Sequence, residues 1–210
     1  MKKLLLAATV ATLTMSAAQA APTVYGKLNV TVDNIDNNDF KDESLVKVNS
    51  NASRIGVKGE EKITDELSAV YLAEWALSTD GGGSDTDLSM RNRFVGIKAN
   101  GVGTLKVGQF DSYFKTAAGN NQDIFNDHTE LDMTKVLAGE ERLNNVIGFE
   151  TDKKLLGGLA FNIMFQQGES STATSAASGL DAEKRDGFGD IVAASITEIY
   201  TVILLAAVPI

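Results

Sequence analysis

The sequence predicts an all-β chain whose antiparallel strands form a transmembrane barrel. Three observations carry that expectation: side chains alternate with a period of two residues, short and long connections alternate along the chain, and basic residues recur on strands whose other face is apolar. The 210 residues carry 19 Lys and Arg against 28 Asp and Glu, a net charge of -9, with 43% hydrophobic residues and no Cys. Those figures exclude a disulfide-built scaffold, a Cys-ligated metal site and a polybasic nucleic-acid binder. The length suits one domain, and near-average hydrophobicity fits a soluble core or a small membrane barrel equally.

The chain opens on Met1-Lys2-Lys3, continues through the apolar run Leu4 to Ala11 with Leu13, and reaches the small residues Ser16-Ala17-Ala18-Gln19-Ala20. That order is expected of a secretory signal peptide spanning residues 1–20, cleaved before Ala21-Pro22. The apolar run is too short to cross about 30 Å of hydrocarbon as a helix.

Eight strands are then expected in order. Thr23 to Asp33 places Val24, Gly26, Leu28, Val30 and Val32 on one face, with Tyr25, Lys27, Asn29, Thr31 and Asp33 on the other. Asn34 to Asn49 is rich in Asn and Asp and reads as an exposed loop with room for a short hairpin at Leu45 to Val48. Ala52 to Glu60 alternates again, with Ile55, Val57 and Gly59 opposite Arg54, Gly56, Lys58 and Glu60. A tight turn at Thr64-Asp65 leads into Leu67 to Leu77, whose period is blurred by Val70, Leu72 and Ala76. Asp80-Gly81-Gly82-Gly83-Ser84-Asp85-Thr86-Asp87 is a loop, because glycine tolerates positive φ and weakens a strand. It has neither the ending of a phosphate loop nor the spacing of a helix-loop-helix calcium site.

Arg91 to Ala99 mixes apolar and charged residues at both parities, so its register is open and a bulge is one solution. Gly101 to Gly103 turns into Thr104 to Phe110. Asp111 to Glu141 is a long structured loop with a helical portion around Thr129 to Leu137, since Phe110, Tyr113, Phe114, Ile124 and Phe125 require packing partners. Arg142 to Thr151, Gly158 to Gln167 and Phe188 to Thr197 complete the strands, the last two separated by a low-complexity loop at Gly168 to Gly187.

Short connections fall near Thr64-Asp65, Gly101 to Gly103 and Asp152 to Leu156, and long ones near 34–51, 80–90, 111–141 and 168–187. A barrel in an outer membrane has this asymmetry, with short turns at its periplasmic end and long loops outside. Lipid offers no hydrogen-bond partners, so a spanning sheet closes on itself, apolar outside and tolerant of charge within. Lys27, Arg54, Lys58, Arg93, Lys106 and Arg142 then line water, where burial in a soluble core would cost several kcal/mol each. A soluble sandwich with these residues facing solvent remains the alternative on periodicity alone.

Several segments together resemble the Gram-negative general porins, the trimeric proteobacterial family. They are Val24-Tyr25-Gly26-Lys27-Leu28, Ser53-Arg54-Ile55-Gly56-Val57-Lys58-Gly59, Asn92-Arg93-Phe94-Val95-Gly96-Ile97-Lys98, Gly103 to Asp111, and Glu141-Arg142-Leu143-Asn144-Asn145. The resemblance implies a homotrimer of water-filled barrels of sixteen strands each, of which about the first eight are present here, set in outer-membrane lipid and lipopolysaccharide. It implies passive diffusion of ions and small hydrophilic solutes, without cofactor, metal or nucleic acid. It also implies an inward-folded third loop, residues 111–141, with acids facing a basic wall. The wall residues it implies are Arg54, Arg93 and Arg142, with Lys27, Lys58 and Lys106; the loop acids are Asp111, Asp123, Asp127, Glu130 and Asp132. Opposed charges of this kind create a transverse field that selects among ions. Arg91 shares the parity of Arg93 or stands at the rim.

Trp75 is expected at the lipid interface, where aromatic rings anchor barrels. His128, the single histidine, has no identifiable metal partners, and no nucleophile elbow joins Ser, Asp and His, so catalysis is not expected. Residues 198–210 lose the alternation and read as an atypical tail, as if a porin had been truncated or had changed reading frame near Thr197. An open sheet would leave edge hydrogen bonds unpaired in lipid, so a non-functional truncated porin is one alternative. The other is a non-conducting outer-membrane barrel with a structural or adhesive role.

Overall fold

A computed structural model describes residues 21–36, 44–81, 88–132, 139–168, 191–197 and 202–209. The expected signal peptide at 1–20 and most of the loops at 80–87 and 168–187 lie outside the described residues. Nine strands form one antiparallel sheet in the order β1 (Thr23–Lys27), β4 (Arg54–Lys62), β5 (Leu67–Leu77), β6 (Leu88–Ala99), β7 (Gly103–Asp111), β8 (Arg142–Thr151), β9 (Ala160–Gln166), β10 (Ile191–Thr197) and β11 (Val202–Pro209). The remaining two, β2 (Val30–Asp36) and β3 (Ser44–Ser50), pair only with each other. Strands β4 to β8 hold 9 to 12 residues, the length a tilted strand needs to cross hydrocarbon. Among the described residues no ladder joins β1 to β11, and no helix is long and apolar enough to cross a membrane.

The expected first strand is broken in two. The Asn29 amide donates to Ser53 Oγ at 2.9 Å and its carbonyl accepts from the Asn51 amide at 2.8 Å, which diverts the chain into the β2–β3 hairpin. Asn34 to Asn49, read as loop from its Asn and Asp content, supplies the end of β2 and most of β3. The tail also differs from expectation. Val202–Pro209 lies antiparallel to β10 with a register shift between Val192 and Ala194. A run of apolar residues has no period of two to read, and its terminal proline is tolerated on an outer strand.

Register divides the sheet into two faces. Val95, Val107, Ile147, Phe165 and Val192 stand opposite one another in one row across β6 to β10. Ile97, Leu105, Phe149, Ile163 and Ala194 form the next. This outer face is open: Val95 is 65% exposed and Val107 48%. Apolar rows of that extent without protein cover are what lipid accepts and water does not. Trp75 lies on the same face, opposite Ile55 and Met90.

The inner face carries Lys58, Glu60, Lys98 and Lys106, together with an apolar cluster that seats the start of the long loop. Phe110, Tyr113, Leu143, Val146, Met164 and Ala193 pack there, Val146 and Met164 with no exposure at all. Gly148 makes the space: a Cβ on it would stand 2.7 Å from the Tyr113 hydroxyl and 2.9 Å from the Phe110 ring. Burial, with the Glu150 carboxylate nearby, pushes the Tyr113 phenol above its ordinary pKa.

The short turns gather at one end. The Asn100 amide donates to the Glu66 carbonyl at 2.9 Å, and the Asp152 amide to the Val102 carbonyl at 3.0 Å. The Asp152 carboxylate ties two turns together, accepting from the amides of Lys154 at 2.9 Å and Gly101 at 3.1 Å. Those bonds to its charged form, led by the Lys154 amide, hold its pKa below the usual carboxylate value. A depressed folded pKa contributes stability above the unfolded value near 4 and loses it as pH falls through the folded one. Asp152→Ala should therefore lower the unfolding midpoint at pH 7 and lower it less at pH 3, since the stabilisation declines as pH falls through the folded pKa. Thermal melts at both pH values check this; a difference that persists undiminished in acid contradicts it.

Candidate functional site

Opposite the short turns, residues 112–132 fold back over the inner face. One π-helical turn at Lys115–Gly119 and a short turn of helix at Asn120–Gln122 carry it inward from β7. The expected helical portion at 129–137 is a single 3-10 turn at Thr129–Leu131, with residues 133–138 outside the described set. The tip rests on residues 126–129. Asn126 and Asp127 hold positive φ angles of 58° and 62°, a conformation that Asn and Asp adopt more readily than most residues.

Five contacts dock this tip. Lys27 Nζ donates to Asn126 Oδ1 and Asp127 Oδ2, each at 2.8 Å. Asn29 Nδ2 donates to the Asn126 carbonyl at 2.8 Å, and the Thr129 amide to Asn51 Oδ1 at 2.9 Å. His128 Nε2 and Asp33 Oδ1 lie 3.1 Å apart, which ties the tip to β2.

Between tip and wall lies a cavity of about 560 Å³ lined chiefly by charged and amide side chains. At its floor is Glu74, 7% exposed, which accepts from Arg91 Nε at 2.6 Å and from the Tyr25 hydroxyl at 2.8 Å. Arg54 reaches both sides: its Nε is 4.0 Å from Glu74 and its Nη2 3.7 Å from Asp127. At the root of the loop, Arg142 Nη2 pairs with Asp111 Oδ1 at 3.1 Å while its Nε donates to Asn92 Oδ1 at 2.7 Å. Asn92 Nδ2 donates to the other Asp111 oxygen at 2.9 Å, and Lys115 stands 3.7 Å from Asp111. Desolvated charges in this density are stable only because each has a partner. The arrangement polarises the cavity while leaving little net charge unbalanced.

The sequence-derived residues are distributed as follows. Lys27, Arg54, Asp111, Asp123 and Asp127 come together at the cavity, and Arg142 stands behind its lining, paired with Asp111. Asp123 Oδ2 accepts from the Asp127 amide at 2.6 Å and so shapes the tip. Asp132 is absent from the cavity lining, and Glu130 lies in the 3-10 turn beyond the tip. Lys58 stacks 5.4 Å from the Tyr25 ring. Lys106 is enclosed by Phe94, Phe110 and Tyr113, 4.8 to 5.4 Å from their ring centres, and pairs with Glu150. The loop acids were expected to face the basic wall; Asp127 lies 2.8 Å from Lys27 and Asp111 3.1 Å from Arg142.

Arg93 requires correction. It stands opposite Ala73 and Gln109 in the row beside Val95 and Val107, on the outer face. The cause is the irregularity between Ala73 and Trp75, where β6 has one more residue than β5, so that Arg91 and Asn92 both reach the inner site. Glu74, Asn92, Asn126 and Lys115 escaped the sequence reading. A lone carboxylate within the apolar run of β5 was the available signal for Glu74, since burying it requires a cationic partner.

Residues 7–198 match the family model described as Gram-negative porin, and the chain belongs to that family. It is 31% identical over 172 residues to the major outer membrane protein P.IB of Neisseria meningitidis serogroup A, covering 79% of this chain and 50% of that protein. P.IB of Neisseria gonorrhoeae is 33% identical over 126 residues, covering 57% of this chain and 35% of the relative. The chain thus spans about half the length of the curated relatives it matches. Its fold resembles the anion-selective porin of Comamonas acidovorans, with a TM-score of 0.65, 17% identity and coverage of 86% of this chain and 54% of that one. Salmonella typhi OmpF gives a TM-score of 0.62 at 16% identity, over 85% of this chain and 50% of that chain. Membership places the chain in the outer membrane and among non-catalytic proteins.

Proposed function

We propose that the chain contributes to a water-filled channel for passive diffusion of ions and small hydrophilic solutes, with segment 111–141 as its constriction. The observation that carries this reading is the docking of that segment through Lys27, Asn29 and Asn51 onto the charged inner face, which narrows the passage beside Glu74, Arg54 and Arg91. A charged lining of this kind selects by size and field. Lys27, Arg54, Arg91 and Arg142 form the basic wall in this reading, and Asp111, Asp123 and Asp127 the loop acids. The relatives' greater length supports a sixteen-strand barrel completed by further strands, assembled as a trimer with lipopolysaccharide around it. Single-channel recording in planar bilayers tests the function: discrete, voltage-tolerant conductance steps are expected, and a protein that inserts without conducting refutes it.

A further inference from the structure

Arg93 leaves an unexplained cation on the lipid-facing side, and the backbone around it is built into a hollow. Between Gly108 and Phe110 the β7–β8 register shifts, so that Gln109 faces the extra residue of an Asn144-Asn145 bulge, with Asn145 at φ 55°. The bulge opens a cavity of about 570 Å³ on the outer face. Among the described residues Arg93 is the single charged one lining it, and Gln109, Asn145 and Gln167 bring amides to the same rim. Arg93 makes no ion pair among the described residues: one Nη donates to Gln109 Oε1 at 3.2 Å and to the Met90 sulfur, while its Nε and other Nη donate to nothing described.

Position supplies the second half. The polar row of Arg93, Gln109 and Asn145 lies immediately above the apolar row Val95, Val107 and Ile147, on the side away from the short turns. On β7 and β8 this polar row ends the apolar belt, whereas on β6 the exposed Met90 and Leu88 continue beyond Arg93; the long arginine side chain, directed toward Met90, extends past them to headgroup depth, and the stacked rows below match acyl chains. We propose that this hollow binds the phosphate headgroup of a lipid in the outward-facing leaflet, with the unused guanidinium donors on phosphate oxygens and the chains along Val95, Val107 and Ile147. Guanidinium and phosphate are matched in charge and in bidentate geometry. The inference rests on the lipid-facing orientation assumed under the proposed channel.

Trp75, the only tryptophan, reports on the patch, because it lies two residues from Ala73, the β5 partner of Arg93, on the same face. The full chain in vesicles containing dibrominated phosphatidic acid or dibrominated phosphatidylcholine gives a quenching readout. The expected result is Trp75 quenching by phosphatidic acid with about fivefold higher apparent affinity, abolished in Arg93→Gln, partly kept in Arg93→Lys and weakened in Gln109→Leu. Equal quenching by both lipids in the parent leaves the orientation intact and overturns the site. Loss of the preference in excess inorganic phosphate assigns the hollow to a free anion and also overturns it. Quenching by neither lipid, with a particle mass of several chains, means that a second copy covers the face and overturns the proposal.

Discussion

Replacing Arg54 and Arg91 together by glutamine shifts the reversal potential of the channel strongly toward cations. Both guanidiniums are within reach of Glu74, and Arg54 also bridges to Asp127, so their loss leaves Glu74 beside the cavity without its cationic partners and Asp127 with Lys27 alone. In a narrow passage with low-dielectric walls such charges raise the local potential by several kT, so the cation-to-anion permeability ratio should rise on the order of threefold or more. Glu74→Gln should move the same ratio the other way, since it leaves Arg54 and Arg91 in excess. The comparison variant is Arg93→Gln, which stands on the outer face and should leave the reversal potential where it was. A salt-gradient measurement decides: a response from Arg93 with none from Arg54 and Arg91 would invert the assignment of faces.

Gly148→Leu is the second large expected effect, and it acts through the loop's footing. The new Cβ would meet the Tyr113 hydroxyl and Phe110 ring well inside contact distance, and both residues belong to the cluster that seats the segment on β8, β9 and β10. A side chain that displaces them lifts the root of the loop from the wall, while the sheet hydrogen bonds of β7 and β8 remain. Single-channel conductance should rise by about twofold with weaker ion discrimination, as expected when a constriction is withdrawn. Tyr113→Ala restores room for the leucine, so the double variant should pack the remaining loop closer to the wall. Unchanged conductance in Gly148→Leu, with the strand content intact, would mean that the loop does not limit the passage.

These two sites differ in how far the sequence revealed them. Alternation in Ala52 to Glu60 and in Thr104 to Phe110 made the faces of β4 and β7 plain, because one face of each is apolar and the pleat has no freedom to mix them. The alternation from Thr23 through Asp33 was equally clear yet misleading, since a period of two records which way side chains point and nothing about which strand is the partner. The break after Lys27 depends on Ser53 and Asn51, residues distant in the chain. Arg91 and Arg93 show the limit most sharply. Equal parity placed them together, and one extra residue at a bulge separated them onto opposite faces. Glu74 was hidden for a related reason: Val70, Leu72 and Ala76 share its parity and made that face look apolar, although Glu74 holds the wall of the site together through Tyr25 and Arg91.

The contrast between the two faces is the foundation for both variants, and the absence of native cysteine makes it directly measurable. Single cysteines at Val57, Lys58, Val95, Lys98 and Val107, each carrying a nitroxide in the reconstituted protein, report collision with oxygen dissolved in lipid or with a nickel chelate in water. The structure predicts oxygen accessibility at 57, 95 and 107 and nickel accessibility at 58 and 98. Nickel at the valine positions with oxygen at the lysines, or no alternation between 57 and 58, would contradict the account of a charged interior wrapped in lipid.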